Sequence, residues 1–153
     1  MGALRCLIDA MVFDEIVAEP DMTATVDRLT SARRLELLAA AVAIEQIAAT
    51  PEVAHRKALQ RVRVLVAPPP DPDDAPTSVL LAVLAASSGV GFDDALIATT
   101  AALQQVPLVT EDRALRDAVG RELPGVPLWR WSEDLRPRIL TLAAERPVPP
   151  RYR

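Results

Sequence analysis

The sequence predicts an α/β domain with a central parallel sheet of about five strands and helices on both faces. Three observations carry this. Short apolar runs of strand length, at 4–8, 35–40, 62–66, 107–110 and 126–131, alternate with longer segments of helical spacing. The chain between successive runs is long enough for a helical crossover, the connection that parallel strands require. Finally, 153 residues, 50% hydrophobic and 25% charged, suit one domain that buries its core without disulfides. The domain is expected over 1–146, with a flexible tail at 147–153.

Each element has its own signal. Leu4 to Ile8 reads as a buried strand that stops at Asp9. Met11 to Ala18 has helical spacing and is closed by Pro20, and Thr23 to Leu29 is a second short helix. Leu35 to Ala49 is too long for one strand, so a strand to Ala40 is followed by a helix carrying Glu45. Thr50 at N-cap, Pro51 at N1 and Glu52 in the first turn predict a helix to about Arg61, then a strand to Val66. Residues 67–76, with five prolines, predict an extended loop. Helices follow at 78–86, with Gly89 near the C′ position, and at 93–104, with Leu96, Ile97, Thr100 and Leu103 turned inward. A strand at 107–110, a helix at 113–123, a last strand at 126–131 and a helix around 138–144 complete the chain.

A formal net charge of −4 argues against a protein that coats nucleic acid by bulk electrostatics. It leaves room for a nuclease with an acidic pocket and a local basic rim. Cys6 is the only cysteine, no apolar stretch reaches the roughly 20 residues of a membrane span, and the N-terminal apolar run is too short for a signal peptide. The expectation is a cytoplasmic protein without a membrane segment.

Ligands in open parallel sheets bind outside the carboxyl ends of the strands. Asp9 ends the first strand, Asp112 follows the fourth, Asp94 opens a helix beside Asp93, and Glu45 lies past the second strand. Four such carboxylates would repel one another unless a cation sits between them, and an all-oxygen set suits Mg²⁺ or Mn²⁺. Each acid also has a plainer reading: Asp9 as a turn residue, Asp94 and Asp112 as helix caps, Glu45 as part of an exposed stripe. Other signals are weaker. Asp71, Asp73 and Asp74 lack the glycine of a calcium loop. His55 stands alone on a charged helix, and Trp129 and Trp131 alternate along a strand as packing residues would.

The segment Asp94-Ala95-Leu96-Ile97-Ala98, followed by Val106-Pro107-Leu108-Val109-Thr110-Glu111-Asp112, resembles PIN-domain ribonucleases, especially VapC-type toxins of toxin–antitoxin pairs. The apolar run into Asp9 is similar to that family's first motif, and Glu45 stands where its second acid is expected. The resemblance implies a single PIN-like domain. It implies a metal-dependent endoribonuclease that hydrolyses RNA phosphodiester bonds, with Asp9, Glu45, Asp94 and Asp112 as catalytic metal ligands and Mg²⁺ or Mn²⁺ as cofactor. It also implies a small antitoxin partner in a type II system and a homodimer. Arg113 and Arg116, just past Asp112, are candidates for phosphate contacts, with a solvated helix face as the alternative. The family usually follows its first Asp with a small polar residue, whereas Ala10 and Met11 stand here. That departure keeps open a catalytically degenerate module acting through protein or RNA binding. A receiver-type phosphoacceptor is disfavoured because Lys57, the sole lysine, is misplaced for it, and Met11 stands where an Asp-x-Asp phosphatase needs its second acid.

Overall fold

The computed structural model describes residues 2–145; the tail expected at 147–153 lies outside them. Strands β1 (Leu4–Ile8), β2 (Leu35–Ala40), β3 (Leu65–Ala67), β4 (Leu108–Val109) and β5 (Leu128–Trp129) form one parallel sheet in the order β3-β2-β1-β4-β5. Helices α1 (Ala10–Ala18), α2 (Met22–Ser31), α3 (Ala41–Ala48), α4 (Val53–Gln60), α5 (Ala75–Ala85), α6 (Phe92–Gln104), α7 (Arg113–Glu122) and α8 (Arg136–Ala144) connect and cover it.

Side-chain alternation along the strands feeds two cores. Cys6 and Ile8 of β1, with Leu35 and Leu37 of β2, pack against Phe13 and Ile16 of α1, Val26 of α2, Leu59 of α4 and Ile139 of α8. Leu7, Leu38 and Leu108 point to the other face, onto Leu84 of α5, Ile97 and Ala98 of α6 and Leu115 of α7. Helix α3 rides over the edge, with Ile47 in the first core and Ala43 in the second. The chain completes the β2–β3 half, then crosses past β1 to start β4. The switch in winding direction therefore falls between β1 and β4, where parallel sheets open a crevice.

Several boundaries differ from expectation. Helix α4 is capped by Glu52 and not Thr50: its carboxylate accepts from the N–H groups of Ala54 and His55 at 3.0 and 2.8 Å. The third strand lies at 65–67 and not 62–66, because Val62 turns inward beside Leu59 to finish the preceding core. The proline-rich loop ends earlier than 76. Asp74 caps α5, accepting from Thr77 N–H at 3.1 Å and Thr77 Oγ1 at 2.6 Å, and Pro76 occupies the first turn, where it has no N–H to lose. Leu103 is 50% exposed, so the inward stripe of α6 runs instead through Ile97, Ala98, Thr100 and Ala101. Trp129 ends β5 while Trp131 opens a π-helical turn (Trp131–Leu135), so the two do not alternate along one strand, although both join the first core. Among the described residues no helix is long and apolar enough to cross a membrane.

Candidate functional site

The acids were expected at the carboxyl edge of the sheet, and the β1–β4 crevice opens on that edge. Asp9 is fixed there by its backbone: its N–H continues the β1–β4 ladder onto Val109 O at 3.0 Å. It then caps α1, its Oδ1 accepting from Ala10 N–H at 2.6 Å, and its side chain is only 5% exposed. Asp112 caps α7, its Oδ1 accepting from Leu115 N–H at 3.0 Å. Asp94 lies in the first turn of α6, whose N-cap is Gly91. Asp112 therefore caps its helix as expected, Asp9, expected in a turn, caps one as well, and Asp94, expected as a cap, lies inside the first turn of its helix. A cap places a carboxylate at a helix N-terminus, and in this topology those termini face the sheet's carboxyl edge.

Thr110 joins two of these acids. Its buried hydroxyl donates to Asp9 Oδ2 at 2.9 Å and accepts from Asp112 N–H at 3.2 Å. Sequence reading included Thr110 in the segment from Val106 to Asp112 without giving it a role; a hydroxyl two residues before a helix-capping acid at a strand end is the signal that identifies it.

The electrostatics tie Asp9, Asp94 and Asp112 together. Burial pushes the Asp9 carboxyl above its ordinary range. The hydrogen bonds from Thr110 and Ala10 oppose this, and the negative charges of Asp94 and Asp112 add to it. Asp94 is raised chiefly by burial, against the nearby Gly91 backbone N–H, and further by Asp112 and Asp93. Glu45 stands on the exposed face of α3. Its neighbour Gln46 donates to Asp93 Oδ2 at 3.3 Å, which brings this part of α3 to the start of α6.

Among the described residues no group of three or more His, Cys, Asp or Glu side chains is placed to hold a metal ion. Asp9, Asp94 and Asp112 act on one another by charge, and an all-oxygen donor chemistry of this kind suits a largely hydrated Mg²⁺ or Mn²⁺ better than a dehydrated ion. Mg²⁺ keeps several waters and takes one or two protein carboxylates, and carboxylates whose burial and mutual repulsion disfavour the bare charge gain from a cation.

The two arginines past Asp112 separate in role. Arg116 donates from one nitrogen to the carbonyls of Thr110 and Trp129, both at 3.1 Å, and so ties the ends of β4 and β5 together. Glu111 adds a second tie, accepting from Trp131 N–H at 2.8 Å. Arg113 is exposed. His55 pairs with Asp14 at 2.8 Å across α4 and α1, a surface contact.

No family model and no curated protein matches the chain. Solved structures do. VapBC2 from Rickettsia felis, bound to a DNA fragment from its promoter, superposes with a TM-score of 0.54 at 13% identity, covering 83% of this chain and 98% of that one. PAE2754 from Pyrobaculum aerophilum superposes with a TM-score of 0.51 at 21% identity, covering 95% of this chain and 98% of that one. The likeness is one of fold and spans most of the described molecule: the chain has the PIN-like fold that the segment from Asp94 to Asp112 led the sequence reading to expect.

Proposed function

We propose that this protein is a metal-dependent endoribonuclease that hydrolyses RNA phosphodiester bonds, with Asp9, Asp94, Asp112 and Glu45 as its catalytic acids. One observation carries the reading. Asp9, Asp94 and Asp112 come from separate elements at the carboxyl edge of the sheet, and Asp9 and Asp94 are held above the ordinary carboxylate range chiefly by burial and further by the charges of neighbouring acids. Acids perturbed by burial and by specific charged neighbours in a cleft are candidates for a functional site.

In this reading Asp9 and Asp94 hold the ion, Asp112 fixes α7 beside it, and Glu45 approaches from α3. A bound Mg²⁺ or Mn²⁺ supplies charge neutralisation at the scissile phosphate and an activated water. Thr110 keeps Asp9 in one rotamer through its donated hydrogen bond. The test is cleavage of RNA by the purified protein with Mg²⁺ or Mn²⁺ against EDTA. Discrete cuts that need metal and vanish in Asp94→Asn support the proposal. Cuts that persist in EDTA, or in a folded Asp94→Asn protein, overturn it.

The sequence resemblance to VapC-type toxins and the fold shared with VapBC2 support a role as the toxin of a toxin–antitoxin pair, acting in the cytoplasm with a small antitoxin as partner and a homodimer as its assembly. A second reading has its own observation. Met11, two residues after the first acid, is 54% exposed and apolar, a side chain suited to a binding surface. A folded protein that binds no Mn²⁺ by calorimetry and cuts no RNA would be a PIN-like module kept for binding protein or RNA.

A further inference from the structure

A second groove adjoins the acids. It has a volume of about 470 Å³ and is lined by Ser88, Arg113, Ala114, Asp117, Ala118 and Arg121. One wall is α7, where Arg113, Asp117 and Arg121 recur every four residues and so share one face, with the two arginines ~12 Å apart along the axis. The other wall is the α5–α6 connection. Gly89 brings it close: its φ is +79°, and a Cβ built there would lie 2.9 Å from Ala114 Cβ. The same connection runs through Gly91 into Asp94, and α7 begins directly after Asp112. The groove therefore begins at Arg113, the residue after Asp112, and leads away along α7.

The chemistry of its lining is that of a ribose–phosphate backbone. Arg113 forms no ion pair among the described residues, and Arg121 is steadied by Ser87 Oγ at 3.3 Å and Glu122 at 3.2 Å while its side chain stays 58% exposed. Asp117 lies between them without pairing to either. An acid left unpaired between two arginines repels a phosphate and accepts from a hydroxyl; the 2′-hydroxyl is the group that separates RNA from DNA. Resting on the nuclease reading above, we infer that this groove binds the strand flanking the cleavage point, with Arg113 and Arg121 on phosphates and Asp117 and Ser88 on the ribose hydroxyl between them. It supplies the local positive rim that a chain of net charge −4 needs to hold RNA beside carboxylates.

The test is fluorescence anisotropy of a short single-stranded RNA and the DNA of the same sequence, in EDTA so that binding is read without turnover, across a salt series. Arg113→Gln/Arg121→Gln should weaken RNA binding by about tenfold or more and reduce the slope of log K against log salt by ~2. Asp117→Ala should narrow the preference for RNA over DNA. Arg28→Gln/Arg61→Gln removes equal charge from exposed positions near the ends of α2 and α4, which lead into the opposite edge of the sheet, and should leave binding unchanged. Circular dichroism checks that each variant is folded. Equal weakening by both double variants, an unchanged slope in Arg113→Gln/Arg121→Gln, or wild-type protein that binds no RNA overturns the groove. Metal-dependent cleavage surviving such a result leaves the nuclease reading standing. Groove-dependent binding without any cleavage removes the nuclease reading and keeps the groove.

Discussion

At the residue scale the candidate site depends on one hydroxyl. Thr110 Oγ1 satisfies Asp9 and the backbone of Asp112 together. Thr110→Val keeps the shape and removes both bonds, leaving a buried carboxylate oxygen and an N–H without partners. The expected loss is about 1–3 kcal/mol of stability in urea unfolding. Groups that orient a metal-holding carboxylate typically contribute about 10–100-fold to affinity or activity, so RNA cleavage should fall by that order. Thr99 predicts the opposite sign. Its hydroxyl is fully buried on α6 with no hydrogen-bond partner. Thr99→Val removes an unsatisfied polar group at equal volume and should stabilise the protein by about 1 kcal/mol, read in the same unfolding experiment.

At the element scale, the turns around the crevice do the positioning. The β4–α7 turn is pinned by Arg116 to the end of β5 and by Glu111 to the π-helical turn, so Asp112 cannot shift without disturbing α8's approach. The α5–α6 connection is set by Gly89. Gly89→Ala forces a left-handed conformation on a residue with a Cβ and drives that Cβ into Ala114. The expected destabilisation is about 1–3 kcal/mol, seen as a lower denaturant midpoint with the m-value unchanged. Helix α1 owes its first turn to Asp9 alone among side-chain caps, which gives this residue a structural role beside the chemical one proposed for it.

At the scale of the whole molecule, a buried acidic centre is a fault in stability that a cation or a proton repairs. The carboxyls of Asp9 and Asp94 bind protons more tightly folded than unfolded, because burial and neighbouring charges disfavour their ionised forms. Between the unfolded value of 3.8 and the raised folded values, the native state holds more protons, so this contribution to stability rises as pH falls through that window. In EDTA at neutral pH, Asp9→Asn should therefore melt a few degrees higher than wild type, and the difference should close as the pH is lowered towards 3.8. Mn²⁺ should raise the melting temperature of wild type and not of Asp9→Asn, since a ligand that binds only the native state stabilises it by about 2.7 kcal/mol at a hundredfold excess over Kd. A wild-type protein that melts no lower than Asp9→Asn in EDTA would show that the site carries no such penalty. Elsewhere the core is inert: burial pushes the Cys6 thiol up to about 12, so it should resist thiol reagents until the protein unfolds.

The sequence by itself determined the architecture, because strand-length apolar runs separated by helical crossovers admit little besides a parallel sheet covered on both faces. It also placed Asp9 at the end of a strand and Asp94 and Asp112 at helix starts, since these are local features, and local features dictate where a carboxylate leaves the backbone. What it left undecided were matters of distance. Whether Thr110 reaches Asp9 across 101 residues, whether Arg116 faces solvent or the ends of β4 and β5, and whether Ser88 lies opposite Arg121 depend on how elements remote in sequence pack. Even the starts of α4 and α5 escaped pattern reading, because Thr50 and Glu52, or Asp74 and Ser78, are all competent to begin a helix and the choice falls to whichever cap the packed core allows. Propensity acts over a turn or two of chain, whereas a site is assembled by the sheet, and only the folded sheet brings its parts within hydrogen-bonding reach.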